Sequence, residues 1–243
     1  MSDKELNLQD LEKVDIVAFG AHPDDVEIGC GGLLAKEVAL GYKVGIVDLT
    51  QGEMGTNGSI EERLAEATKA AKILGATWRR NLRIPDRHVD KTEENLAKVV
   101  NVIRAAQPRL ILMPYWNDRH PDHVNASNLV TEAHFTSGLR KYQPHQQAFR
   151  PREMLYYFMN YEQQPSFVVD ISKYWDIKVQ AIAAHESQFG RRNPMFPAES
   201  NSRFPGKLEG RFRHYGSFVN SAYGEAFVVR NMLAVHDPMA FFS

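Results

Sequence analysis

The sequence predicts an α/β fold: a Rossmann-like, mostly parallel twisted sheet flanked by helices, in a single domain over residues 1–243. Three observations predict it. Short runs rich in Val and Ile alternate with helical patterns from residue 14 onward. Polar or glycine-bearing loops follow the early runs. No linker, repeat or low-complexity tract divides the 243 residues. Such alternation means βαβ units, and right-handed crossovers put every strand-to-helix loop on one sheet edge. The loops at 20–31, 50–59 and 115–122 are therefore expected to converge.

The elements follow in order. Residues 1–13 read as a polar arm, and Val14–Phe19 as a buried strand. A helix is expected over Gly32–Leu40, closed by Gly41, and a second strand over Lys43–Leu49. Thr50 to Ser59 is a loop holding Gly52, Gly55 and Gly58. Leu64, Ala67, Ala71 and Leu74 share one helical face, so Ile60–Leu74 reads as a helix ending at Gly75. Thr77–Leu82 reads as a strand. Leu96, Val99, Val100 and Ile103 form the stripe of a helix over Glu93–Ala106, stopped before Pro108. A strand at Leu110–Pro114, a loop from Trp116 to Asp122 and a helix over Val124–Phe135 come next. Met154–Asn160 and Phe167–Ile171 read as strands, and Ser172 as the cap of a helix through Ala184. Gln188 to Gly210 shows no period. A helix around Arg211–Asn220 and a strand at Ala226–Arg230 finish the chain.

Composition narrows the function. The formal net charge of −1 argues against a nucleic-acid or membrane-surface partner, which calls for a basic excess. Cys30 is the one cysteine, so no internal disulfide forms, which fits a reducing cytoplasm. The N-terminus has no apolar core of a signal peptide, and no apolar run approaches the roughly 18 residues that span a bilayer.

Two clusters carry chemistry. His22-Pro23-Asp24-Asp25 follows the first strand, where open α/β sheets place their ligands. Arg119-His120-Pro121-Asp122-His123 follows the fourth. Taken singly, Asp24 or Asp122 also reads as a helix N-cap. Taken together on one edge, three of these groups suffice for a catalytic metal with one open position. The residues also leave a carboxylate free to act as a base.

Ala21-His22-Pro23-Asp24-Asp25 with His120-Pro121-Asp122-His123 resembles the paired signature of the LmbE/PIG-L zinc deacetylases, which remove N-acetyl groups from glucosamine derivatives. The stretches 48–58, 137–141, 168–172, 186–189 and 223–227 are similar to the bacillithiol branch, the deacetylases of N-acetylglucosaminyl malate. The resemblance implies an LmbE-like fold and a homo-oligomer. It also implies Zn2+ held by His22, Asp25 and His123, though Fe2+, Co2+ or Ni2+ suits the same donors. Asp24 would be the general base. A protonated His120 would stabilise the oxyanion, and Asp122 would orient it and stabilise its charge, with either protonated Asp24 or His120 delivering the proton to the leaving amine. Arg63 and Arg119 would bind a substrate carboxylate. Arg63 sits near a helix start, where a cation opposes the macrodipole, which favours a ligand role.

Other deacetylase substrates stay open: free N-acetylglucosamine, a chitooligosaccharide, an inositol conjugate or a thiol-conjugate amide. A Rossmann nucleotide-binding module is the remote alternative. It lacks G-x-G-x-x-G and would find carboxylates where a dinucleotide needs bare backbone. Glu53 and Asn57 read as loop polars, and His185 as a helix-end cap. The basic run Arg191, Arg192, Arg203, Lys207, Arg211 and Arg213 reads as a solvated loop, with an anion-attracting lid over 190–215 as the rival.

Overall fold

The computed structural model describes residues 11–143, 145–190 and 206–234, with 237 and 239. Residues 1–10 of the expected arm at 1–13 and the segment 191–205 lie outside the described residues. Strands β1 (Ile16–Gly20), β2 (Val44–Asp48), β3 (Trp78–Asn81), β4 (Leu110–Pro114), β5 (Glu153–Tyr157), β6 (Phe167–Asp170) and β7 (Gly224–Val228) form one sheet in the order β3-β2-β1-β4-β5-β7-β6. The pairs joining β3, β2, β1, β4 and β5 are parallel, and β7 runs antiparallel between β5 and β6. The helices are α1 (Asp25–Ala39), α2 (Ile60–Leu74), α3 (Glu93–Ala106), α4 (Pro121–Ser137), α5 (Trp175–Ala183), α6 (Glu186–Phe189) and α7 (Gly206–Ser217).

Alternate residues of β1 feed two separate cores, as the period of a strand requires. Val17 and Phe19 pack with Val99, Ile103, Leu129 and Val130 of α3 and α4. Ile16 and Ala18 pack with Leu34, Leu74, Ile182 and Phe212 of α1, α2, α5 and α7. Among the described residues no helix is long and apolar enough to cross a membrane.

Helices α2 and α3 and strand β4 have the bounds expected from sequence. Ser59 and Glu62 form a reciprocal capping box on α2, and Thr92 caps α3 through the Asn95 amide. Four expectations are corrected. Helix α1 starts at Asp25, not Gly32, because its glycines serve close packing rather than a loop. A Cβ at Gly29 would overlap the Tyr157 ring, and one at Gly32 would lie 2.7 Å from Ile171 Cδ1. Helix α4 starts at Pro121, not Val124, since the fixed φ of proline suits a first helical position. Ser172 caps nothing: its amide and hydroxyl both donate to Asp170 Oδ1, at 2.9 and 2.7 Å, and a 3₁₀ turn over Ser172–Tyr174 precedes α5. Strand β7 begins at Gly224, two residues before the expected Ala226.

Gly29→Ala is expected to lower stability by about 1–3 kcal/mol, the usual cost of overpacking, because Tyr157 must move and its 2.7 Å hydrogen bond to the Phe19 carbonyl is disturbed. Urea unfolding against the wild type checks this.

Candidate active site and metal centre

The site is built where β1, β3 and β4 end. After Gly20 the chain turns through His22 and Pro23 to Asp24, whose φ of 117° lies in the left-handed region that side chains disfavour. Such a conformation persists only where its surroundings impose it. Arg63 of α2 supplies that constraint. Its guanidinium is buried and donates to the Gly52 carbonyl at 2.7 Å and the Pro23 carbonyl at 3.0 Å. It also lies 3.6 Å from Asp24 Oδ2. Arg63 thus braces two site loops against each other rather than extending toward solvent.

The three expected metal ligands are brought together. The Asp25 carboxylate lies between the two imidazoles, with Oδ2 3.6 Å from His22 Nδ1 and Oδ1 3.2 Å from His123 Nε2. The opposite ring nitrogens are held by other acids. His22 Nε2 lies 3.3 Å from Asp86 Oδ1 and 3.4 Å from Asp122 Oδ2, and His123 Nδ1 lies 3.0 Å from Asp118 Oδ1. An imidazole that binds a metal through one nitrogen donates its other N–H to such a partner, which sets the tautomer. One ring nitrogen each of His22, His120 and His123 lie within 4.8 Å of one another, and so do donor atoms of His22, Asp86 and Asp122.

The electrostatics fit a cation. Four acids, Asp25, Asp86, Asp118 and Asp122, crowd around His22 and His123, and Asp122 Oδ1 is buried with no hydrogen-bond partner. Burial pulls the His123 pKa down, but Asp25 and Asp118 more than reverse it, to about 9. Burial pushes the Asp118 carboxyl up, but His123 and the amides of His120 and Asn160 hold it well below the usual range. The acids around His22 and His123 thus favour positive charge at this place, which a divalent ion bound by neutral imidazole and carboxylate would supply.

Asp24 sits beside this cluster. Burial is the main cause that lifts its pKa to about 6, aided by Asp25 and opposed by Arg63, His185 and His22. His120 caps α4: its Nδ1 accepts the Asp122 amide at 3.2 Å, so a neutral ring carries its proton on Nε2. Burial, with His22 and His123 acting the same way, lowers the His120 pKa. The expected carboxylate contact from Asp122 to His120 is replaced by this backbone bond. The Asp122 carboxylate instead faces His22 and accepts the Arg87 amide at 3.0 Å. Arg119 is exposed on the same loop.

Sequence reasoning missed the parts played by Asp86 and Asp118. Asp86 lies on the loop after β3, which the edge rule collects as surely as the other three. It couples His22 to the 50–59 loop, for its Oδ2 accepts the Met54 amide at 3.0 Å and its own amide donates to Glu53 Oε1 at 2.7 Å. Asp118 also accepts from the Asn160 amide at 2.7 Å. Asn57 enters through its carbonyl, which accepts Gln188 Nε2 at 2.7 Å. His185 is no surface cap: it is fully buried, with Nε2 3.5 Å from Glu27. Arg79 joins Glu27 to Asp48, on which it closes a two-pronged grip with both bonds at 2.7 Å. Of the basic run, Arg211 pairs with Glu162 and Arg213 with Glu209, which uses their charge locally rather than as an anion lid. Arg191, Arg192 and Arg203 lie outside the described residues.

Residues 17–134 match the PIG-L family, described as GlcNAc-PI de-N-acetylase. The diacetylchitobiose deacetylase of Thermococcus kodakarensis is 34% identical over 192 residues, which cover 74% of this chain and 71% of that protein. A 1D-myo-inositol 2-acetamido-2-deoxy-alpha-D-glucopyranoside deacetylase of Corynebacterium diphtheriae is 29% identical over 155 residues, or 51% of this chain and 53% of that one. The crystal structure of a conserved protein from Thermus thermophilus superposes with a TM-score of 0.83 at 37% identity, covering 92% of this chain and 98% of that one.

Two outcomes are expected from this geometry. Asp118→Ala should weaken divalent-metal binding by about 10–100-fold, as loss of an imidazole-orienting acid does, read by chelator competition. Burial raises the Glu27 pKa, but Arg79 and His185 outweigh it and bring it to about 2. A lowered carboxylate pKa gives stability that is present above the unfolded value of about 4.3 and is lost as pH falls through the folded one. Glu27→Gln should therefore flatten the loss of stability between those pH values in acid-titrated urea melts.

Proposed function

This chain belongs to the PIG-L/LmbE family of deacetylases, and from that premise we propose that it is a zinc-dependent hydrolase of the acetamide in an N-acetylglucosamine conjugate. The observation that carries the reading is the Asp25 carboxylate set between His22 Nδ1 and His123 Nε2, each ring backed by further acids. His22, Asp25 and His123 would hold the metal. When bound, zinc lowers the pKa of a water toward about 7 and polarises a carbonyl.

The chain's own residues do the rest. Asp24, with a pKa of about 6, accepts a proton near neutral pH as the general base. Its strained backbone and the Arg63 brace fix it beside the ligands, which is the positioning that proton transfer needs. His120, its Nδ1 already occupied by the Asp122 amide, offers Nε2–H to the developing oxyanion as a neutral donor. The proton taken by Asp24 is then the one returned to the leaving amine. Asp122 steadies His22 with its carboxylate and His120 with its amide. Arg63 acts by holding the loops, and Arg119 is the arginine left to meet a substrate anion.

The finer substrate reading is N-acetylglucosaminyl malate, supported by the sequence resemblance at 48–58 and 223–227 and by Arg119. A chitooligosaccharide or an inositol conjugate fits at least as well, given the activities for which the two relatives are named.

The test is amine release from N-acetylglucosaminyl malate, diacetylchitobiose and an inositol conjugate, before and after chelation and zinc return. Zinc-restored turnover of any of them supports the reaction, and the best substrate assigns the conjugate. No turnover by protein shown to hold zinc overturns the reading. Asp24→Asn should keep its zinc and lose about 10²–10⁴ in kcat, whereas His22→Ala should lose both metal and activity.

A further inference from the structure

Helix α1 is broken at Cys30, whose φ of −143° and ψ of 15° are not helical. The break divides a short first turn, which carries Asp25, from the longer segment that packs in the core. In an unbroken helix the Gly32 amide would donate to the Ile28 carbonyl. Here the Gly32 amide donates to Glu225 Oε1 at 2.8 Å, and the Leu33 amide to Glu225 Oε2 at 2.6 Å. Lys178 Nζ donates to the Ile28 carbonyl at 2.7 Å, the Glu27 carbonyl at 2.9 Å and Glu225 Oε1 at 2.7 Å. The ion pair thus stands between the Ile28 carbonyl and the Gly32 amide, and it also takes the neighbouring Glu27 carbonyl and Leu33 amide. Lys178 spends all three N–H groups, and both side chains are wholly buried.

We propose that Lys178 and Glu225 are positioning residues for the metal centre, setting the angle at which the first turn of α1 presents Asp25. The proposal rests on the reading that Asp25 is a metal ligand. Two anchors hold that turn. Arg79 grips the Glu27 side chain from β3, and Lys178 grips the carbonyl end from α5. The remainder of α1 is capped separately by Glu225 from β7. Three elements distant in sequence therefore meet at the break. A pair that served helix stability alone would have no need to separate the ligand turn from the segment behind it, because a continuous helix satisfies the same amide and carbonyl without buried charge.

Lys178→Met/Glu225→Gln removes both charges at once and leaves no lone buried ion. Val99→Ala, in the core on the opposite face of the sheet, is the control for general destabilisation. Zinc affinity is measured on the full chain by chelator competition, with melting temperatures in parallel. The double variant should bind zinc about tenfold more weakly or worse, and lose kcat more than it gains KM. The control should stay within about twofold in zinc affinity. A double variant that binds zinc as well as the control does overturns the proposal and leaves the metal reading intact. If the double variant does not fold, Lys178→Gln/Glu225→Gln, which also removes both charges, is judged by the same comparison. Wild-type protein without zinc affinity would overturn the metal reading and this proposal with it.

Discussion

The site depends on a backbone ladder that does not stop where the strands stop. Past the end of β1, the Leu49 amide donates to the Gly20 carbonyl, and the Thr50 amide and hydroxyl both donate to the Ala21 carbonyl, each at 2.9 Å. Past the end of β2, the Leu82 amide donates to the Asp48 carbonyl and the Ile84 amide to the Leu49 carbonyl. Each loop is therefore registered on its neighbour before its side chains act. His22 on the first, Glu53 on the second and Asp86 on the third meet because main-chain bonds carry all three outward together. A parallel sheet makes this available, since its loops leave from one edge.

On that frame the chain gathers charge that an apolar interior would reject. Buried carboxylates are costly unless paired and hydrogen-bonded. Most of these carboxylates have partners: Asp118 takes amides and an imidazole, Asp86 takes an amide and an imidazole, and Glu27 takes a guanidinium on Oε1 while its Oε2 has no hydrogen-bond partner. Asp122 Oδ1 is left bare. The paired acids fix the imidazole orientations, and the uncompensated negative charge favours a cation among them. Asp24 differs from Asp25 in pKa because burial and the neighbouring Asp25 outweigh the opposing charges of Arg63, His185 and His22, and its nearest ionic contact is Arg63 at 3.6 Å. Two adjacent aspartates in one turn thus take opposite protonation behaviour from their surroundings, as one group that binds and one that moves a proton require.

Much of this was legible in the chain. The alternation of elements, the capped helices α2 and α3, and the two His–Asp boxes follow from local rules that tertiary contacts did not override. What escaped has a common cause. The glycines at 29 and 31 look like a loop and Gly32 like a helix start, because a sequence does not show that Tyr157 and Ile171 will press against Gly29 and Gly32. Asp86 and Asp118 look like turn residues because a carboxylate in a loop after a strand has the same local signature whether it bonds a nearby amide or holds an imidazole. Arg63 near a helix start reads as a ligand for a substrate carboxylate, but its guanidinium is buried on the chain's own groups. Its partners are the carbonyls of Gly52 and Pro23, on loops far along the chain. Lys178 carries no local signal that marks it for the interior, yet it is wholly buried.

The same division separates reaction from selectivity. Every group assigned to metal binding or proton transfer is buried or half-buried and tied to the sheet edge by backbone bonds or by acids that are themselves tied. The neighbouring exposed side chains, Arg119 beside His120 and Met54 beside Glu53, hang from those same loops but take no part in their bracing. A change at such a position alters what lies against the site without loosening a ligand. A change at Asp118 or Arg63 disturbs the chemistry for any substrate. Relatives named for different acetamido sugars accord with a surface over the site that is free to vary.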